Sequence, residues 1–136
     1  MAAKLRKLVG CVPYRKNGDG IYEILLVLNT KEEEWILPKG GWEKKETASV
    51  GAARETWEEA GVSGRVTALG EWDCISRGRP GICSYFAMDV EKVWNEYPEK
   101  NRRRKWVSFD EALHECKRPE MQAAMKACMD RLRLIL

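Results

Sequence analysis

Glu55, Glu58 and Glu59 stand close together in the run Arg54-Glu55-Thr56-Trp57-Glu58-Glu59. On a helix turning about 100° per residue, their carboxylates lie within roughly 100° of one another. No Lys or Arg shares that stripe, and the residues beside it, Ala48, Gly51 and Ala52, are small enough to leave room for something bulky above. A helix that only carries charge to water more often spaces its acids with bases four residues on. Carboxylates this close repel unless a cation neutralises them. Upstream, the Lys39-Gly40-Gly41 loop can bring backbone groups close to a metal or a phosphate, and Glu46 lies between loop and helix. Hard oxygen donors in this number suit magnesium or manganese, which bind phosphate oxygens. Such a site would offset charge on a transferred phosphoryl group and acidify a bound water, while a carboxylate in reach takes the proton. The glutamates alone also allow a plain solvated acidic face.

Other chemistries find less support. His114 is the only histidine and falls in a predicted helix, so Ser-His or Cys-His nucleophilic catalysis is not expected. Neither Gly-x-Ser-x-Gly nor a phosphate-binding P-loop occurs.

The glutamates need a frame. Residues 8–14 and 21–28 are apolar and partly β-branched, and the Lys16-Asn17-Gly18-Asp19-Gly20 turn between them predicts a hairpin. Residues 35–38 form a short apolar stretch ending at the Lys39-Gly40-Gly41 loop. Thr47 is the expected N-cap of a helix reaching Ala60, with Gly61 as its stop. Val50, Ala53, Trp57 and Ala60 make the apolar face expected to dock on a sheet. Residues 65–73 and 82–90 predict two further strands joined by a loop over 76–81, and residues 105–109 a last short strand. Ser108 with Glu111 opens a helix through Cys116. Pro119 begins another, whose core stripe is Met121, Met125, Cys128, Leu132 and Ile135. This order points to an α/β or α+β layered domain.

The pattern Gly40, five residues, Glu46, seven residues, Arg54-Glu55, two residues, Glu58-Glu59, one residue, Gly61-Val62 resembles the Nudix box, over residues 40–62. Thr56 departs from it, standing where the family carries a bulky aliphatic residue, and touches packing only. The resemblance implies an α/β/α sandwich with a mixed sheet between helices. It implies Mg2+ (or Mn2+) on Glu55 and Glu59, joined by a backbone carbonyl near Lys39. Glu58 would ligate a second metal or act as general base, and Arg54 would orient Glu55 through a charge-assisted pair.

Substrate choice lies outside the box. Residues 35–42 and the segment Arg102-Arg103-Arg104-Lys105-Trp106 resemble the diphosphoinositol polyphosphate phosphohydrolase branch, which removes the β-phosphate from inositol pyrophosphates; many members also cut diadenosine polyphosphates. By that resemblance Arg6, Lys31, Arg77, Arg79, Arg102 and Arg104 are expected to touch substrate, together with the Lys39, Gly40 and Gly41 loop. That branch often has three glycines where this chain has Lys39-Gly40-Gly41. The competing substrates are ADP-ribose, NADH or diadenosine polyphosphates, for which Trp42, Trp72, Tyr85 and Trp106 are the candidate adenine cradle. From another class, a non-catalytic polyphosphate sensor would be expected to have lost some of Glu46, Glu55, Glu58 and Glu59, all present here. Capped RNA fits less well, since no extended basic stripe is visible, and nucleic acid is not the expected partner.

The 136 residues suit one domain, 1–136; 44% are hydrophobic and 33% charged. No apolar run reaches the roughly 18–20 residues that cross a bilayer. The opening residues 1–7 lack the apolar stretch of a secretory signal. Five cysteines without a C-x-x-C pair read as free thiols of a reducing compartment, cytosol or nucleus. The net charge of +3 is compatible with a small polyphosphate ligand.

Overall fold

The first apolar run and the turn after it produce an antiparallel hairpin. The computed structural model describes residues 5–135, and side chains as far as Arg133. Residues 1–4 of the opening segment and the side chain of Ile135 lie outside the described residues.

Strand β1 (Arg6–Lys16) turns through Asn17, whose Oδ1 accepts the Asp19 and Ile21 amides at 2.9 and 3.1 Å, into β2 (Tyr22–Asn29). The pair is antiparallel with Tyr14 opposite Ile24, as the hairpin reading required. β3 (Glu34–Ile36) pairs with β2. The expected loop at Lys39-Gly40-Gly41 is itself a strand, β4 (Lys39–Gly41), held antiparallel against Leu8, Val9 and Gly10 of β1. Those residues of β1 lie beyond the stretch that pairs with β2, and β4 takes the backbone groups left free there.

Helix α1 (Ala48–Ala60) starts at Thr47, whose side chain accepts the Val50 amide, and stops at left-handed Gly61. β5 (Val62–Ser76) and β6 (Arg79–Val93) are longer than their apolar cores suggest. The expected 76–81 loop shrinks to Arg77 and Gly78, both at positive φ (53° and 72°), the two-residue turn that suits twisted antiparallel strands. β6 lies parallel to β1, every other pairing is antiparallel, and the sheet is mixed, in the order β3-β2-β1-β6-β5. β7 (Arg104–Ser108) pairs with β2 and leads through the Ser108 cap into α2 (Phe109–Glu115), then α3 (Pro119–Ile135).

The sheet is covered on both faces. Val9 and Cys11 face α1, where Gly51 meets Val9 and the Thr56 hydroxyl meets the Cys11 thiol. Residues of opposite parity face α2 and α3: Tyr14 feels Cys128 and Arg131, and Tyr85 feels Cys116 and Glu120. Met121, Met125, Cys128 and Leu132 are buried, as their helical spacing predicts. The five cysteines are free.

The docked side of α1 differs from the expected face at Val50 and Trp57, while Ala60 is buried and Ala53 packs on the core as expected. Gly51, Ala52, Thr56 and Ala60 are the buried side of α1, while Val50 is 56% and Trp57 37% exposed. Small side chains let a helix approach a sheet closely, so the room above Gly51 is filled by the Glu46 carboxylate and by Val9 of β1. Thr56 is buried because its hydroxyl is satisfied, donating to the Ala52 carbonyl at 2.7 Å. With the small side docked, Glu55 and Glu59 reach along the helix to β4 at the sheet's rim.

Candidate active site

Two local facts bring the glutamates to β4. A Cβ on Gly40 would overlap the Glu55 carboxylate, so only glycine lets this strand pass so close. The Lys39 amide donates to Glu59 Oε1 at 3.2 Å.

Arg54 organises the remaining carboxylates. Its guanidinium donates to Glu46 from Nη2 at 2.6 Å and from Nε at 3.0 Å. Nη1 reaches Glu55 Oε1 at 2.8 Å and Glu58 Oε2 at 3.2 Å, and Nη2 also reaches the Gly41 carbonyl at 3.1 Å. One planar cation thus ties the loop before α1, two turns of α1 and the end of β4 together. It holds the Glu46 carboxyl below the usual range, chiefly through their hydrogen bonds.

Glu55 and Glu59 are perturbed the other way. Burial pushes Glu55 up despite Arg54. Burial raises Glu59 to about 7, with the Lys39 amide and Arg102 opposing and the carboxylates of Glu99 and Glu55 adding to the rise. Half-buried carboxylates crowded in this way gain from a divalent cation, and hard oxygens are the donors Mg2+ and Mn2+ prefer. The residues therefore fit such an ion. Among the described residues no three acidic, histidine or cysteine side chains meet closely enough to cage one, because Arg54 and the Lys39 amide draw the carboxylates to different partners.

Glu55 and Glu59 open into a cavity of about 1010 Å³, which Glu58 does not line. Arg6, Lys31, Lys39, Arg77 and Arg102 all line it, as do Gly40 and Gly41. Arg6 is held by the Ser76 hydroxyl at 2.7 Å, and Arg102 by the Leu28 carbonyl at 3.1 Å and Glu99 at 2.7 Å. Arg79 and Arg104 do not line it. Arg79 is paired with Ser76 at the start of β6, past the turn. The Arg104 guanidinium is committed to carbonyls at the end of α1, Ala60 at 2.7 Å and Gly61 at 3.3 Å, and to Trp94 at 2.9 Å.

The proposed adenine cradle is not assembled either. Trp42 donates to the Glu46 carbonyl at 2.8 Å, Trp72 packs on buried Tyr85, and Trp106 carries Arg15 on its ring. Among the described residues no aromatic side chain lines the cavity.

Sequence reasoning missed Glu99, whose amide donates to the Glu58 carbonyl at 2.9 Å and whose charge reaches Glu55 and Glu59. It also missed Arg118 and Glu120 at the start of α3 and Asp73 on β5, all lining the cavity. No spacing marks these residues, because the sheet brings them in from separate parts of the chain.

The NUDIX domain family matches residues 4–132. The chain belongs to the Nudix family. It is similar to Nudix hydrolase 21, chloroplastic, of Arabidopsis thaliana, 41% identical over 95% of this chain and 69% of that protein. It is also similar to the human diphosphoinositol polyphosphate phosphohydrolase NUDT4B, 28% identical over 84% of this chain and 65% of that one. A C. elegans Ap4A hydrolase shares the fold, with a TM-score of 0.77 at 24% identity over 95% of this chain and 99% of the other. The protein is thus a Nudix hydrolase, acting on phosphoanhydrides, with the mixed sheet and three helices of its structural neighbours. Nudix hydrolases generally use a divalent metal such as Mg2+ and act on small phosphate compounds. Among the described residues no helix is long and apolar enough to cross a membrane. The Arabidopsis relative is named for the chloroplast, a compartment other than the cytosol or nucleus expected here.

Proposed function

We propose that the chain, acting as a single domain, hydrolyses the phosphoanhydride of a diphosphoinositol polyphosphate to the monophosphate form and orthophosphate. The observation that carries this reading is the cavity wall: six cations, Arg6, Lys31, Lys39, Arg77, Arg102 and Arg118, and, among the described residues, no aromatic ring. A polyphosphate needs many dispersed donors, and arginine forks supply them, whereas an adenine would call for a stacking surface. The similarity to NUDT4B, a protein named for this substrate class, agrees with it.

Glu55, Glu59 and Glu58, with the backbone carbonyl of Lys39, are the groups that would hold Mg2+ or Mn2+. When bound, the metal offsets phosphoryl charge and acidifies water. Arg54 orients Glu55 and keeps Glu46 ionised beside it. Glu58 is the more open carboxylate, its side chain 34% exposed against 14% for Glu55, which supports it as the base that would take a proton from attacking water. The water oxygen bonds to the terminal phosphorus, the anhydride P–O bond breaks, and the inositol-bound phosphate leaves. Arg6, Lys31, Arg77 and Arg102 hold the other phosphates around the ring.

The test is a comparison of kcat/KM with Mg2+ for a diphosphoinositol pentakisphosphate, diadenosine hexaphosphate, ADP-ribose, NADH and capped RNA. Preference for the first supports the reading. Preference for ADP-ribose or NADH keeps the glutamate chemistry and rejects the substrate. Glu58→Gln and Glu59→Gln should each lose about 10²-fold or more in activity; retained turnover would reject the metal site.

A further inference from the structure

The mouth of the cavity is bounded on one side by the turn between β2 and β3, carrying Asn29, Thr30, Lys31 and Glu32, and on the other by the start of α3. One residue joins these sides. Arg118 Nε donates to Glu34 Oε1 at 2.8 Å, its Nη2 also meets that oxygen, and Nη2 reaches Glu32 Oε2 at 3.2 Å. The partners are 84 and 86 residues away in the chain.

We propose that Arg118 is a positioning residue, fixing the β2–β3 turn so that Lys31 faces the bound polyphosphate and tightens its binding. This rests on the polyphosphate reading of the cavity.

Four observations support it. Arg118 stands at a helix N-terminus, where its own carbonyl accepts the Met121 and Gln122 amides at 3.1 and 3.0 Å. A cation there opposes the helix dipole, so α3 itself gives no reason for it. The anchor is firm, because α3 is docked through buried Met121, Met125 and Cys128. The turn needs an anchor: it passes through Glu33 at φ 51°, a strained left-handed position for a non-glycine residue, with the Lys31 amide donating to Asn29 Oδ1 at 3.1 Å just before it. The Arg118 side chain is 19% exposed and Glu34 26%, so water screens this pair less than an open surface one.

The experiment uses the full chain with Arg118→Met, Glu34→Gln and the double variant. The probe is inositol hexakisphosphate, which binds as a polyphosphate and has no anhydride to cut. Calorimetric Kd is read beside amide hydrogen exchange of residues 30–34 in the unliganded protein. Positioning predicts that either substitution raises Kd about tenfold, that the double variant adds little more, and that exchange in the turn quickens in both. A tighter or unchanged Kd for Glu34→Gln, with a weaker one for Arg118→Met, would mean that Arg118 grips the ligand itself and would overturn the proposal. Unchanged exchange in both variants would overturn it as well. Wild-type protein that ignores the probe, with exchange still quickened in the variants, would count against the polyphosphate reading and in favour of the clamp.

Discussion

Replacing Glu59 by Gln should stabilise the metal-free protein at pH 8 while abolishing most of its activity. Burial and neighbouring acids raise the native Glu59 carboxyl from 4.5 to about 7. Below pH 4.5 the side chain is protonated in both native and unfolded chains and favours neither. Between 4.5 and 7 the native state holds the proton that the unfolded state has released, so stability falls as pH rises through this window. Above 7 the penalty is complete: at 1.36 kcal/mol per unit, the shift amounts to about 3 kcal/mol. Glutamine carries no charge at any pH and can still accept the Lys39 amide. The variant and wild type should therefore unfold together near pH 4.5 and differ by up to about 3 kcal/mol at pH 8, roughly 1–2 M in the urea midpoint. The assay is urea unfolding in EDTA at both pH values, repeated with Mg2+. Saturating Mg2+ should narrow the gap, since a ligand that binds only the native state stabilises the wild type by mass action. An equal gap at both pH values would refute the argument, because the difference would then not come from ionising Glu59.

Other substitutions test other links. Gly40→Ala places a methyl group where the Glu55 carboxylate sits; that side chain can swing away, so unfolding should barely change while kcat/KM falls by about 10²-fold. Arg54→Lys keeps the charge but cannot span Glu46, Glu55, Glu58 and the Gly41 carbonyl at once, and steady-state kinetics should show a fall in kcat of about tenfold or more. Arg104→Met removes the cation from the end of α1 and should lower stability by about 1–3 kcal/mol in denaturant titration. Its KM should stay at the wild-type value; a rise would return Arg104 to the substrate contacts.

Local chemistry was legible without coordinates. Thr47 and Gly61 bound α1 because a cap and a left-handed stop depend on the nearest few residues. The turn at Asn17 is likewise local, as is the Ser108 start of α2. The stripe from Met121 to Leu132 is buried as its spacing implies. Glu55, Glu58 and Glu59 share a side of one helix by rotation alone, which made them candidates before any fold was known.

Contacts between distant segments were decided by the tertiary structure. Which side of α1 docks depends on how closely the sheet can approach, and this favoured Gly51, Ala52 and Thr56 over the larger Val50 and Trp57. Lys39–Gly41 became a strand because β1 offered unpaired backbone there. Arg102 and Arg104 look alike in sequence, yet one faces the cavity and the other closes a helix end. Glu99 and Arg118 carried no local signal at all. A charged side chain takes its role from the partner opposite it, and here that partner arrives from another part of the chain only once the sheet has closed.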